Sequence, residues 1–280
     1  MTGFLSRQER FATVGSTNDV VRDWLAGGLP EVCLAIADEQ TSGRGRDGRS
    51  WTAPAGAALL MSLGFRPAWL PAERVWRIPA TVSLAMADAA EEVAGLPDRA
   101  IRLKWPNDLV IETIEGVVPH APQVADEVRK VAGVLGESTG LGSADPSLVI
   151  GLGLNTEWPA EAFPPSLAGG MTSLRAASGG RPIDHIALLD AFLGRLEVRV
   201  EALRGGRFDV ADWIDRQVTT GRDVRLVAPD GSVSTVRAIG VDVAGGGLVV
   251  EDPASPVGER VVLVGEIRHA RLTGPAAVGV

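Results

Sequence analysis

The segment Gly43-Arg-Gly-Arg-Asp-Gly-Arg49-Ser-Trp51 places three arginines and three glycines within seven of its nine residues. Glycine lets a backbone approach a ligand closely, and arginine gives bidentate contacts to phosphate or carboxylate oxygens. The order of Gly, Lys and Ser/Thr does not match a P-loop. The segment is therefore either an anion-binding loop or a solvated basic loop. Because its arginines repel one another, we expect it to order only over an anion.

Lysine is rare in this chain: of 27 basic residues only Lys104 and Lys130 are lysine, and the others are arginine. An ammonium is a compact point charge, and a planar guanidinium cannot adopt the same geometry in a tight site. Lys104 opens the motif Lys104-Trp-Pro-Asn-Asp108, which is either a plain structural turn or a charged site. Lys130 opens Lys130-Val-Ala-Gly133. Two explanations fit the retention of these two lysines: codon bias, or a functional site that requires an ammonium group.

Composition restricts the class of protein. A net charge of −8 argues against a general binder of nucleic acid or anionic membranes. The single cysteine, Cys33, lies in the apolar run 32–37, which predicts a buried thiol and fits a cytoplasmic setting. The three histidines are far apart, so they predict no metal site. No signal peptide or membrane span is expected.

Hydrophobic periodicity predicts an α/β (α+β) fold with a mixed sheet flanked by helices. Ser16-Thr17-Asn18 predicts the start of a helix that ends at Gly27-Gly28, and two longer helices are predicted over 79–94 and 183–204. Strands are predicted over 32–37, 57–65, 101–104, 109–113, 130–137 and 148–154.

The hydrophobic pattern of the sequence changes near Val218. From Asp223 to Leu272, short β-rich runs alternate with turns such as Pro-Asp-Gly, and no helix-length pattern follows. We therefore expect three parts: residues 1–217 as a larger α/β domain, 218–272 as a small β-barrel, and 273–280 as a disordered tail.

Five motifs, in this order, carry a resemblance to the bacterial biotin protein ligases. They are Ser16-Thr17-Asn18, Gln40 before Gly43-Arg-Gly-Arg46, Lys104-Trp-Pro-Asn-Asp108, Lys130-Val-Ala-Gly133 and Gly151-Leu-Gly-Leu-Asn155. The resemblance covers about residues 11–272, and Gly265-Glu-Ile-Arg268 is similar to part of the family's SH3-like C-terminal domain.

The resemblance implies a two-step reaction with biotin and ATP as substrates. The biotin carboxylate attacks the α-phosphate to give biotinyl-5′-adenylate, and a lysine of a biotin carboxyl carrier domain then takes the biotinyl group. The catalytic residues implied are Lys130, Arg46 and Asp108. The residues implied to bind biotin are Ser16, Thr17, Asn18, Gln40, Gly43, Arg44, Gly45, Arg46, Trp51, Lys130 and Gly133. The residues implied to bind the nucleotide are Arg44, Arg46, Arg49, Lys104, Asn107 and Asn155.

The resemblance also implies Mg²⁺ through the ATP chemistry, although the sequence shows no metal-ligand cluster. The partner implied is the carrier domain of a biotin-dependent carboxylase, with no nucleic acid and no membrane, for a monomer or a homodimer. Some family members carry a DNA-binding domain before the catalytic part. The residues before Phe11 are too few for such a domain, so we expect none there. Removing residues 218–280 is expected to impair transfer to the carrier more than biotin binding.

Two departures from the family pattern stand out. Asp108 and Lys130 lie 22 positions apart, which predicts a lengthened, mobile hairpin loop over 112–129. Gly136 stands where a larger apolar residue is common, which could loosen packing beside the site. Two alternatives stay open: a lipoate ligase or octanoyl transferase of the same fold, and a non-catalytic biotin-sensing regulator.

Overall fold

The computed structural model describes residues 3–112, 128–264 and 269–273, the last for its backbone only. The first part of the chain forms a seven-stranded sheet with helices on both faces, as the periodicity predicts. Its strands are β1 (Arg7–Val14), β2 (Cys33–Gln40), β3 (Ala58–Phe65), β4 (Ile101–Lys104), β5 (Asp108–Glu112), β6 (Val128–Thr139) and β7 (Ser147–Asn155). Its helices are α1 (Thr17–Ala26), α2 (Arg77–Ala94), α3 (Pro165–Ala168), α4 (Leu174–Ala177), α5 (His185–Arg204) and α6 (Val210–Asp215).

The strand order in this sheet is β1-β2-β3-β7-β6-β5-β4. Strands β1 and β2 pair in parallel and the other neighbours are antiparallel, so the sheet is mixed. Helices α2 and α5 cover one face with the main apolar core, while α1 packs on the other face through Val21 and Leu25. Strand β1 was not predicted because this edge strand is mostly exposed and carries no apolar alternation.

The C-terminal unit is a five-stranded antiparallel sheet, in agreement with the predicted small β unit. Its strands are β8 (Asp223–Val227), β9 (Val233–Val241), β10 (Leu248–Glu251), β11 (Glu259–Val262) and β12 (His269–Thr273), in the order β11-β10-β9-β8-β12. Its core includes Trp105, which comes from the first part of the chain. The domain boundary near 217 stays a prediction. The segments 113–127, 265–268 and 274–280, on which the loop, Gly265–Arg268 and tail predictions fall, lie outside the described residues.

Two further predictions concern burial. Cys33 is fully buried and free, and desolvation raises the pKa of its thiol to about 11, as expected for a thiol in the core. Among the described residues, no helix combines the length and the apolar character that a membrane crossing requires.

A buried ion-pair network joins the helices to the sheet. The Arg216 side chain is only 2% exposed and donates to the carboxylates of Asp88, Glu91 and Asp212 and to the Ile101 carbonyl. Glu91 in turn accepts from the Ile101 amide at 2.8 Å. These contacts tie α2 and α6 to β4, the strand that leads into Lys104.

Candidate active site

A cavity of about 360 Å³ lies over the centre of the large sheet, which is within the usual size range for small-ligand sites. Its floor comes from β3, β6 and β7, and its walls come from the start of α1 and from the segments 40–52, 104–108 and 158–171. Fifteen of the sixteen site residues suggested by the sequence line it: Ser16, Thr17, Asn18, Gln40, Arg44, Gly45, Arg46, Arg49, Trp51, Lys104, Asn107, Asp108, Lys130, Gly133 and Asn155.

The remaining residue, Gly43, does not line the cavity. A Cβ at this position would lie 2.4 Å from the Trp51 carbonyl oxygen, and the Trp51 amide donates to the Gly43 carbonyl at 2.9 Å. Gly43 is therefore required by a close backbone approach at the base of the loop, and its part in ligand binding would be indirect.

Both lysines of the chain meet at one carboxylate. Lys130 Nζ lies 2.6 Å from Asp108 Oδ1, and Lys104 Nζ lies 3.6 Å from Asp108 Oδ2. Burial alone would raise the pKa of Asp108, but the two ammonium groups hold it below its ordinary value. Asp108 is therefore an anion that fixes two cations at the cavity wall.

A β-bulge sets the direction of Lys130. The register between β5 and β6 pairs Leu109 with Ala132 but Val110 with Lys130, so Val131 is the extra residue. Such bulges re-aim side chains beside functional sites. The Lys130 backbone is also held on its other side, because its amide donates to Gly170 and its carbonyl accepts from Thr172.

One end of the cavity is lined by a chain of polar side chains. Gln40 Oε1 accepts from the Thr17 amide at 2.7 Å and lies 3.0 Å from the Thr17 hydroxyl. The Ser62 hydroxyl lies 2.7 Å from Thr17 Oγ1 and 2.5 Å from Asn18 Oδ1. Since the Gln40 carbonyl is engaged, its amide nitrogen is left on the side of the loop and the cavity.

Glycines make the floor of the cavity flat. A Cβ on Gly153 would lie 2.4 Å from the Trp51 indole, and one on Gly151 would lie 2.3 Å from Asn18 Oδ1. Side chains of the chain itself therefore lie against both glycines. Trp51 also lies over Lys130, with Nζ 5.3 Å from the ring centroid.

The arginine loop is folded by charges within the chain. Arg44 donates to both carboxylate oxygens of Asp19, at 2.9 and 2.8 Å, and it lies 3.4 Å from Glu137. Arg46 donates to the Val264 carbonyl of the C-terminal unit at 3.3 Å. The premise that the arginines only repel one another is therefore wrong for Arg44, because two carboxylates of the chain compensate its charge. That the loop orders only over an anion stays a prediction.

Asn107 and Asn155 differ in the hydrogen-bonding groups that they leave for a ligand. Asn107 donates through Nδ2 to the Val134 carbonyl at 2.9 Å, which fixes the turn against β6. Asn155 is fully buried and donates through Nδ2 to Thr172, while its Oδ1 has no hydrogen-bond partner among the residues described. A buried unpaired acceptor is costly, so Asn155 retains a capacity to bind a donor.

Comparison with known proteins agrees with this geometry. The family model described as the biotin/lipoate A/B protein ligase family matches residues 11–155. A biotin–(acetyl-CoA-carboxylase) ligase of Mycobacterium tuberculosis is 31% identical over 265 residues, covering 93% of this chain and 88% of the relative. The chain belongs to the biotin/lipoate A/B protein ligase family.

Solved structures of family members share the fold. A biotin protein ligase from Aquifex aeolicus, in complex with biotin and ATP, superposes with a TM-score of 0.74 at 23% identity, covering 95% of this chain and 99% of that chain. One from Leishmania major, in complex with biotinyl-5-AMP, superposes with a TM-score of 0.57 at 22% identity, covering 92% and 99%. This chain thus shares its overall fold with these two biotin protein ligases.

Sequence reasoning missed three residues that build the site in this family member. Ser62 is the only hydroxyl in the otherwise apolar strand β3, and a lone polar residue in such a run was an available signal. Asp19 directly follows the Ser-Thr-Asn motif, and Glu137 lies on β6 with Lys130. Both carboxylates lack a local pattern, since their partner Arg44 is distant in the chain.

Metal ligands are sparse around the cavity. Within the described ranges, no group of three or more His, Cys, Asp and Glu side chains is placed to hold a metal ion. Asp108 lines the cavity, but both of its oxygens face lysines. A metal ion that enters with a nucleotide would therefore be coordinated mainly by phosphate oxygens and water.

Proposed function

We propose that this protein ligates biotin to a lysine of a biotin carboxyl carrier domain in two ATP-dependent steps, through biotinyl-5′-adenylate. One observation carries the proposal. The two lysines of an arginine-rich chain converge on Asp108, at the wall of a cavity that also holds a neutral polar end and an arginine loop.

The first step joins two anions, so it requires fixed positive charge. An oxygen of the biotin carboxylate attacks the α-phosphorus of ATP, and the bond to pyrophosphate breaks. Lys130 would contact both the carboxylate and the α-phosphate as negative charge gathers there, with Arg46 adding charge from the loop. Asp108 keeps both ammonium groups in place before the substrates bind, so little reorganisation is needed.

The second step needs the mixed anhydride to be protected from water. The amine of a carrier lysine attacks the biotinyl carbonyl carbon, and the bond to the AMP oxygen breaks. The loop 43–51 would cover the adenylate, with Trp51 against the acyl chain. Asp108, which lies beside Lys130 in the cavity, would orient the incoming amine.

The remaining residues divide by chemistry. The polar end formed by Ser16, Thr17, Asn18 and Gln40 suits a neutral, hydrogen-bonding ring such as the ureido group of biotin, with Gly45 and Gly133 leaving room along the acyl chain. Arg44 and Arg49 belong to the loop that would face the phosphate. The unpaired Oδ1 of Asn155 suits the exocyclic amine of adenine, while Lys104 and Asn107 hold the phosphate-side turn.

ATP would arrive with Mg²⁺, which supplies positive charge to its phosphate oxygens. The partner we propose is the carrier domain of a biotin-dependent carboxylase, in the cytoplasm, with the protein acting as a monomer or a homodimer. Nucleic acid and membranes are not part of this proposal.

The family also contains lipoate ligases, so the substrate must be tested directly. The experiment is ATP–pyrophosphate exchange with biotin, lipoate or octanoate as the acid, followed by transfer to an isolated carrier domain. Of the three acids, we expect only biotin to support pyrophosphate exchange. We also expect one lysine of the carrier domain to be biotinylated stoichiometrically. Exchange with lipoate in preference to biotin would indicate the lipoate-type activity. Tight binding of biotin without exchange would indicate a sensing protein.

A further inference from the structure

Four charged side chains form a closed ring at the edge of the cavity. Asp19 and Arg22 lie on α1, Glu137 lies on β6 and Arg44 lies in the arginine loop. Arg22 donates to Asp19 at 2.5 Å and to Glu137 at 2.6 Å, and Arg44 contacts the same two carboxylates. The ring therefore alternates in sign and joins three separate elements.

The guanidinium of Arg44 uses nearly all of its N–H donors in contacts within this ring. Nη1 and Nη2 donate to the two oxygens of Asp19, and Nε and Nη2 face Glu137 at 3.4 Å. A guanidinium has five N–H donors, and at most one is left after these contacts. The hydrogen bond from Arg44 and its charge lower the pKa of Asp19, which burial alone would raise. Arg44 is thus compensated before any ligand anion is considered.

Glu137 extends the ring to the polar end of the cavity. The carboxylate oxygen that binds Arg22 also accepts from Asn18 Nδ2 at 2.9 Å. The other side of the Asn18 amide, Oδ1, lies 2.5 Å from the Ser62 hydroxyl, which contacts Thr17. One carboxylate therefore fixes the orientation of Asn18 and the position of the loop arginine together.

We propose that Arg44 is the anchor of the loop rather than a phosphate ligand, and that Asp19 and Glu137 are positioning residues that couple the loop to the head-group end of the cavity. This inference rests on the proposed function. Its consequence is that loss of either carboxylate loosens the loop over the adenylate, while Lys130 and Asp108 remain in place. Binding and retention of ligand should suffer more than the chemical step.

The kinetic test compares Asp19→Asn and Glu137→Gln with the wild type. Charge-assisted hydrogen bonds are strong, but the Asp19 and Glu137 side chains are 42% and 29% exposed, so we expect the KM for biotin to rise about 3- to 10-fold. The kcat for pyrophosphate exchange should stay within about 3-fold, because the variants leave the reacting groups untouched. More pyrophosphate should be released per carrier biotinylated, since adenylate escapes or hydrolyses under a loosened loop.

A double-mutant cycle tests whether Asp19 and Arg44 act through one contact. Asp19→Asn and Arg44→Gln should each raise the KM for biotin, and the double variant Asp19→Asn/Arg44→Gln should raise it by less than the product of the two single effects. The matched control is Asp23→Asn, an exposed carboxylate one turn further along α1, which should behave as wild type.

Proteolysis gives a second readout that does not depend on activity. Trypsin should cut after Arg46 or Arg49 faster in Glu137→Gln than in the wild type, at equal melting temperature. An unchanged KM together with unchanged cleavage, or a double variant whose KM rises by the full product of the two single effects, would overturn the inference. If the wild type itself fails to exchange pyrophosphate with biotin, the proposed function fails instead, and the proteolysis result still decides whether the ring anchors the loop.

Discussion

The indole of Trp105 donates to the carbonyl of Gly246 at 3.0 Å, so the motif that carries Lys104 and Asp108 is anchored in the C-terminal unit. Trp105 is 4% exposed and packs among Val224, Leu248 and other core residues of that unit. Its amide also donates to the Thr219 hydroxyl at 3.0 Å. The turn therefore presents its charged residues to the cavity and its indole to the small sheet.

The first prediction follows from this anchor. Trp105→Phe removes the bond to Gly246 and should lower biotin-dependent pyrophosphate exchange, because Lys104 and Asp108 lose their fixed position. Trp76→Phe is the matched control, since Trp76 Nε1 donates to Ala244 in the same turn at 3.0 Å without belonging to the motif. If both variants lose the same activity at equal stability, the contact matters only for attaching the unit.

The same contacts bear on removal of residues 218–280. The sequence suggested that such a truncation impairs transfer to the carrier more than biotin binding. The structure indicates a wider effect, because Trp105 would lose its packing partners and the Leu103 carbonyl of β4 would lose the hydrogen bond from the Val218 amide. We expect the truncated chain to lose the first half-reaction as well, measured as pyrophosphate exchange on protein whose fold is checked by circular dichroism.

The fold followed from sequence wherever apolar periodicity was strong, as in α2, β3 and the C-terminal strands. The prediction from sequence missed the edge strand β1, because backbone pairing to β2 rather than side-chain burial defines this strand. Fifteen of the sixteen residues that the motifs suggested line one cavity, including the two lysines. The motifs do not predict which charges pair, because Asp19, Glu137 and Arg44 come from distant segments and their pairing depends on the tertiary fold.

The second prediction concerns the two lysines. Lys130→Ala should lower the rate of adenylation about 10²- to 10³-fold, the usual loss for one charge-stabilising contact. Lys130→Arg should recover little, because the site between Asp108 and Trp51 fits an ammonium. Lys104→Ala should have a smaller effect, since its Nζ lies 3.6 Å from Asp108. A stable Lys104→Ala protein as inactive as Lys130→Ala would contradict this division.

The third prediction concerns pH. The two ammonium groups hold the pKa of Asp108 below its ordinary value despite burial. A carboxyl whose pKa is lower in the folded state stabilises the fold above its unfolded pKa, about 4, and this contribution is lost as the pH falls through the folded value. The difference in free energy of unfolding between wild type and Asp108→Asn should therefore be constant near neutral pH and shrink in acid. Urea titrations at several pH values measure it, and a constant difference down to acid pH would contradict the pairing.

The fourth prediction concerns stability away from the cavity. Arg216→Met leaves Asp88, Glu91 and Asp212 without their central cation, and breaking a buried ion pair in this way costs about 3–5 kcal/mol. The free energy of unfolding from urea titration should fall accordingly. Arg7→Met, which removes an exposed pair with Glu9, is the control and should change stability by less than about 1 kcal/mol. Equal effects would mean that the buried network contributes no more than a surface pair.

The last prediction uses two glycines on neighbouring strands. Gly153→Ala places a methyl group 2.4 Å from the Trp51 indole, so the ring must move into the cavity, and we expect biotin binding to weaken with little change in stability. Gly136→Ala is the control, because its methyl group would lie 3.5 Å from Ile150 Cδ1, an ordinary contact. There we expect unchanged biotin binding and a gain of about 0.4–1 kcal/mol in stability, since alanine restricts the unfolded chain. Isothermal titration with biotin and thermal melting separate the two effects, and a Gly153→Ala protein that binds biotin like the wild type would show that Trp51 is free to leave the floor of the cavity.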